Sequence, residues 1–286
     1  MILLDLPPAA QLALAGIFGL LIGSFLNVVI LRLPRKLLAE HQAACEDREP
    51  PAERWFGLDY LIAPPSSCTQ CGHRIRAIEN IPVISWLLLR GRCSACSTPI
   101  GVRYPIVEVV TGLLTMLVVW HFGLSLPGLA ACLLTWGLIA LTVIDIDEQL
   151  LPDQITLPLM WLGLLLNLSG HFATLGDAVI GASAAYLSLW LVFQVFRLLT
   201  GKEGMGYGDF KLFAVFGAWL GWQMLPQILL LSSLVGAIIG ISLITLRGRD
   251  HNIPIPFGPY LAIAGFIALL WGKQINQSYL QIAGIG

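Results

Sequence analysis

Two aspartates and four cysteines carry most of the chemistry this sequence could do. Asp145 opens the run Asp145-Ile146-Asp147-Glu148, and Asp209 closes Gly206-Tyr207-Gly208-Asp209. Each stands at one end of a long apolar stretch, where a carboxylate is costly and tends to mark function. Two carboxylates held close do not both ionise readily, so the pair retains one proton. The ionised member can take a proton from a bridging water. The water then attacks a peptide carbonyl that the protonated member polarises. This is aspartyl protease chemistry, and it needs no covalent intermediate. The glycines before Asp209 loosen the start of a helix and let a substrate backbone come close. Each aspartate also has a plainer reading by itself. Asp145 can be an interfacial acid, and residues 206–209 can be the ordinary Gly and Asp of a span start. A shared depth in a membrane lifts the pair above its parts. The neighbouring acids read as structural: Asp153 and Asp177 as helix caps, and Asp147, Glu148 and Glu203 as solvated groups.

The cysteines form Cys68-Thr69-Gln70-Cys71 and Cys93-Ser94-Ala95-Cys96, with 21 residues between the pairs. This is the spacing of a tetrahedral zinc site, and four thiolates leave no open position, so the metal is structural. Gly72 and Gly91 lie beside the two knuckles and tolerate unusual backbone angles. Two other readings stand beside this one. A pair of redox-active units would need a βαβ setting, which this stretch lacks, and four free thiols are the remaining alternative. Cys45 and Cys132 fall outside the scheme, and His73 reads as a bystander.

The elements that must position these groups follow from composition. The hydrophobic residues make up 57% and the charged residues only 12%. No soluble domain of this size hides that much apolar surface. A soluble enzyme, a disordered chain and a secreted disulfide scaffold are all excluded. The net charge of −1 gives no reason to expect nucleic acid. Residues 32–103 hold 10 Lys/Arg and 7 Asp/Glu, close to the soluble norm, while the rest of the chain is nearly uncharged. One soluble-like insert is thus embedded in a membrane-like chain.

Eight stretches approach the ~20 residues that cross a bilayer: 9–31, 104–121, 128–145, 155–170, 177–198, 209–222, 226–246 and 257–272. No Lys or Arg precedes the first, so it reads as a retained span and not a cleaved signal peptide. With the N-terminus outside, 15 of the 16 Lys/Arg fall on the inner side, and only Lys273 lies outside. The expected fold is an all-α polytopic membrane protein of about eight transmembrane helices with a zinc-binding cytoplasmic insert. Its parts are a first span (1–31), the insert (32–103) and a seven-helix core (104–286). Asp145 and Asp209 then share the inner membrane boundary. Glu108, about one turn into the second span, is expected to face the site or a basic group of the insert. Asn27 in the first span reads as helix–helix glue or a substrate contact.

Several long motifs together resemble one family. They are GSFLNVVILRLP (23–34), both cysteine pairs, ENIPVISW (79–86), RYPIVE (103–108), IDIDEQLLPD (144–153), GKEGMGYGDFKL (201–212) and PIPFGPYLA (254–262). The chain is similar over nearly its whole length to the type IV prepilin peptidases, in particular the PilD-type bifunctional leader peptidases and N-methyltransferases. That resemblance implies that Asp145 and Asp209 are the catalytic pair. It implies a tetracysteine zinc motif at Cys68, Cys71, Cys93 and Cys96. It also implies two reactions: removal of a short basic leader from type IV prepilins and pseudopilins, then methylation of the new N-terminus with S-adenosylmethionine. The setting implied is the bacterial inner membrane. The methyl-transfer half rests on the resemblance alone, because no Gly-rich dinucleotide-type loop follows a strand.

Three rival readings make different predictions. A protease of the GxGD type that cuts deep in the bilayer would hold Asp145 and Asp209 at mid-span. An ion-coupled transporter would show matched repeats with broken helices, and no convincing repeat relates 1–143 to 144–286. A zinc-dependent docking module on a membrane scaffold would make both aspartates dispensable.

Overall fold

The computed structural model describes residues 6–46, 59–62, 65–202, 204–247 and 256–282. The polar, proline-containing stretch 37–60, which reads from sequence as a flexible lead-in or a short helix, falls partly outside these residues, and Glu203 lies outside them altogether. The described residues are predominantly helical and hold no strand, only isolated bridges at Ser67–Arg74 and Arg92–Pro99.

Each expected apolar stretch falls on a helix: α1 (Pro8–Cys45), followed by a short α2 (Asp59–Ile62) and α3 (Ile84–Leu88) in the insert, then α4 (Arg103–Phe122), α5 (Leu126–Glu148), α6 (Asp153–Asn167), α7 (Leu175–Thr200), α8 (Tyr207–Leu220), α9 (Leu225–Arg247) and α10 (Gly258–Ile282). Five segments are long and apolar enough to cross a membrane: α1, α4, α5, α7 and Trp222–Ser242. The chain is therefore a helical membrane protein. The other three expected spans differ for physical reasons. At 15 and 14 residues, α6 and α8 rise only about 21–22 Å, short of a ~30 Å hydrocarbon core. The second half of α10 carries Lys273, Gln274, Asn276 and Gln277. In addition, α1 continues as helix well past residue 31, to Cys45.

The chain divides into two compact units, Met1–Ala140 and Leu141–Gly286. In the first, α1 and α4 pack through small residues. A Cβ on Gly19 would lie 2.7 Å from Thr115 Oγ1, and one on Gly23 would lie 2.6 Å from the Glu108 Cα. Lipid is as apolar as a leucine side chain, so membrane helices associate through such close approach and through polar ties. Asn27 supplies one tie, donating to the Tyr104 carbonyl at 3.1 Å. Trp136 supplies another, donating to Thr115 Oγ1 at 2.9 Å. Interhelical bonds of this kind contribute about 0.6 kcal/mol each, up to about 1.7.

In the second unit α8 is the central helix. Phe210, Leu212, Val215, Phe216 and Trp219 are all fully buried, as befits a helix that is apolar on every side. It packs against α6, α7 and α10. Glycines again set the closest contacts: Gly217 meets the Gly181 backbone, and Gly163 makes room for the Trp219 indole. Trp219 Nε1 donates to the Leu159 carbonyl at 2.8 Å, and Asn167 Nδ2 donates to the carbonyls of Ala218 and Trp219. Encased this way, α8 can begin and end within the protein although it is too short to span alone.

Candidate active site

Asp145 sits in the last turn of α5. Its own carbonyl accepts the Gln149 amide at 3.0 Å, and Gln149 adopts φ 52°, which stops the helix. Asp209 sits in the first turn of α8, where Gly206 is the N-cap. With no capping side chain from Gly206, the Asp209 carboxylate turns back, and its Oδ2 accepts the Gly206 amide at 3.2 Å. An acid in the first turn also suits the helix dipole.

Both side chains are buried, at 5% and 7% exposure. Leu151 touches both Gly208, next to Asp209, and Gly258, against Asp145, so the two carboxylates share one neighbourhood. The Gly258 amide, at the start of α10, faces the Asp145 carboxyl group. Asp145 Oδ2 and Asp209 Oδ1 are both buried and accept no hydrogen bond from the described residues. A buried polar atom without a partner is costly, so such atoms stand out where a site must receive something.

Leu151 packs against two of the site's glycines. A Cβ on Gly208 would lie 2.7 Å from Leu151 Cβ. One on Gly258 would lie 3.3 Å from Leu151 Cδ1 and 2.6 Å from Asp145 Oδ2. The buried Leu151 therefore wedges between the glycine beside Asp209 and the glycine against Asp145. Two residues further on, Asp153 begins α6, and Lys211 Nζ reaches both of its carboxylate oxygens at 2.7 Å. Asp153 makes this ion pair and no side-chain cap bond, which corrects its reading as a cap. Sequence reasoning missed Leu151 and Gly258. Neither residue type signals chemistry, although both lie within runs that the sequence singles out, 144–153 and 254–262.

The four cysteines converge. Their Sγ atoms all lie within 4.8 Å of one another and could hold a metal ion. The knuckles repeat one turn. Cys68 N donates to the His73 carbonyl and Gly72 N to the Cys68 carbonyl. Cys93 N donates to the Thr98 carbonyl and Ser97 N to the Cys93 carbonyl, all at 2.9–3.0 Å. The turn needs a left-handed residue four positions after its first cysteine, and these are Gly72 (φ 70°) and Ser97 (φ 59°). Gly91 is therefore not the second knuckle's counterpart. It also has positive φ, but it packs against the Trp86 ring. His73 is tied to Glu79 and Ser94, each at 3.3 Å. Glu79 Oε2 also accepts the Arg76 amide, and these bonds pull its carboxyl down to about 2.

The remaining polar residues fall into place. Glu108 is buried and accepts the Val83 amide of the insert at 2.7 Å, a backbone group and not the basic side chain expected. Asn27 bridges α1 to α4. Asp147 and Glu148 are exposed. Asp177 is the third residue of α7. Its amide bonds to the N-cap Thr174, and its carboxylate accepts from Trp222 Nε1 at 2.9 Å.

Fold and site define a helical membrane protein with a buried aspartate pair and a four-cysteine cluster. Residues 17–122 match the bacterial peptidase A24 N-terminal domain, and residues 132–241 match the type IV leader peptidase family. The chain belongs to that family. It is 58% identical to a prepilin leader peptidase/N-methyltransferase of Aeromonas hydrophila, over 96% of this chain and 95% of the relative. It is 56% identical to the protein of that name from Stutzerimonas stutzeri, over 96% of each. It is 55% identical to the one from Pseudomonas aeruginosa, over 97% and 96%. No solved structure gives a significant match.

Proposed function

We propose that this chain is an inner-membrane prepilin leader peptidase and N-methyltransferase, with Asp145 and Asp209 as its catalytic pair. The observation that carries the peptidase reading is the pair of buried carboxylate oxygens, one on each aspartate, that the described residues leave without a hydrogen bond. A water held between them would be activated by the ionised aspartate, while the protonated one donates to the scissile carbonyl. Gly258 keeps a side chain away from Asp145 Oδ2. Both aspartates lie at helix ends, which suits a substrate whose basic leader stays cytoplasmic and whose following helix enters the bilayer. The count of charges supports eight spans with the insert and the site on the cytoplasmic side. Prepilins and pseudopilins are the substrates, lipid surrounds the spans, and nucleic acid has no role.

The metal fits zinc. A tetrahedron with Zn–S of 2.3 Å has S···S edges of about 3.8 Å, and Cys68 Sγ lies 3.7 Å from Cys96 Sγ. Held by Cys68, Cys71, Cys93 and Cys96, the ion would brace both knuckles and take no part in hydrolysis. The methyl donor is S-adenosylmethionine, which supplies an electrophilic methyl group. The described residues contain no strand-to-helix glycine loop of the dinucleotide type, so no donor-binding residue is assigned.

Purified protein in detergent, incubated with a prepilin with and without S-adenosylmethionine, tests the proposal by product mass. Loss of the leader, and a further gain of one methyl group when the donor is present, support it. An unchanged prepilin contradicts it.

A further inference from the structure

The insert carries an apolar face that its own core does not cover. In α3, Ile84, Leu87 and Leu88 share one side at helical spacing, and all are more than half exposed. Ile78 and Ile81, just before α3, extend the exposed aliphatic surface. Isolated exposed leucines need no explanation, but a cluster of this kind marks a contact.

Where this face lies is fixed by a part-buried bond. The Val83 amide donates to Glu108 Oε2 at 2.7 Å, and Glu108 stands about 7 Å into α4 by helical rise. Val83 has φ 62°, a strained conformation for a β-branched residue, and it immediately precedes α3. Trp86 Nε1 also donates to the Ile100 carbonyl, close to the start of α4. The α3 segment is thus pinned to the end of a helix whose own outer side chains, Ile106 and Leu113, are more than half exposed and suited to lipid. Charge adds a second argument. Between residues 65 and 103 the exposed arginines 74, 76, 90, 92 and 103 stand against a single acid, Glu79.

The geometry points to α3 as an interfacial element: its aliphatic face enters the headgroup boundary of the cytoplasmic leaflet, and the arginines meet anionic lipid phosphates. This rests on the reading of α4 as a span and of the insert as cytoplasmic. It gives the insert a fixed tilt against the bilayer rather than a free tether.

Photo-crosslinking in nanodiscs of phosphatidylethanolamine and phosphatidylglycerol tests it. A benzophenone amino acid is placed singly at Leu88, at the knuckle residue Thr69 or at Leu113 on α4, in metal-loaded full-length protein. The expected result is phospholipid adducts at Leu88 and Leu113 and none at Thr69. A Leu88 probe that gives no lipid adduct while Leu113 does would overturn the proposal, as would one that crosslinks only to added prepilin. Absence of lipid adducts at both positions would overturn the span reading together with it.

Discussion

Lys211 sets its ammonium 2.7 Å from both carboxylate oxygens of Asp153, two residues after Asp209 and two after Leu151. The pair ties the start of α6 to the second turn of α8, and so brackets the loop that holds Leu151 in place. Both side chains are partly exposed, and exposed pairs contribute only about 0–1 kcal/mol. Asp153→Asn or Lys211→Met should therefore lower thermal stability slightly and slow cleavage by less than about tenfold. A double-mutant cycle on the cleavage rate checks this, with an expected coupling no larger than about 1 kcal/mol.

Gly258 and Gly208 should respond differently to alanine. A methyl group on Gly258 would meet Asp145 Oδ2 at 2.6 Å, so Gly258→Ala should abolish cleavage while leaving metal content intact. A methyl group on Gly208 would instead meet the Leu151 side chain, 2.7 Å from Cβ, 3.2 Å from Cδ1 and 3.3 Å from Cγ. Gly208→Ala should impair cleavage, and adding Leu151→Gly, which removes the Cβ it meets, should restore part of it. Rates for the two single variants and the double variant decide.

The equivalence of Gly72 and Ser97 makes a prediction about the metal cluster. A non-glycine residue at positive φ is strained by roughly 1 kcal/mol. Ser97→Gly should preserve metal binding and raise resistance to chelation. Gly72→Val should lower it. The chelator concentration that releases half the metal measures both.

Glu79 links the insert to pH. Its carboxyl is held down to about 2 from the ordinary 4.5, chiefly by the Arg76 amide. A depressed carboxylate adds stability above its unfolded pKa and loses it as pH falls through the folded one. Acid unfolding of the insert should therefore include a loss between about 4.5 and about 2 that is missing in Glu79→Gln. Circular dichroism against pH, compared between the two proteins, checks it.

What could be read without coordinates follows the strength of the local signal. Cysteine spacing and the acids at span ends are chemically loud, and the structure brings each set together. The identity of Glu108's partner was not legible, because a backbone amide has no residue type to betray it. Gly91 and Ser97 show the same limit. Glycine advertises positive φ, yet the second knuckle uses serine, and only the repeated hydrogen bonds reveal it. Leu151 and Gly258 act through shape, so the runs that contain them, 144–153 and 254–262, do not reveal what each residue does. That α6 and α8 are too short to span is not legible, because apolar residues inside a protein and inside lipid look alike.

The most direct test of the central claim is cleavage of a prepilin by purified Asp145→Asn, Asp209→Asn and the double variant. Residues acting as one unit are non-additive. Each single change should abolish cleavage as completely as both together, with folding and metal content unchanged. Near-normal cleavage by either single variant, or losses that simply multiply in the double variant, would contradict a shared catalytic pair.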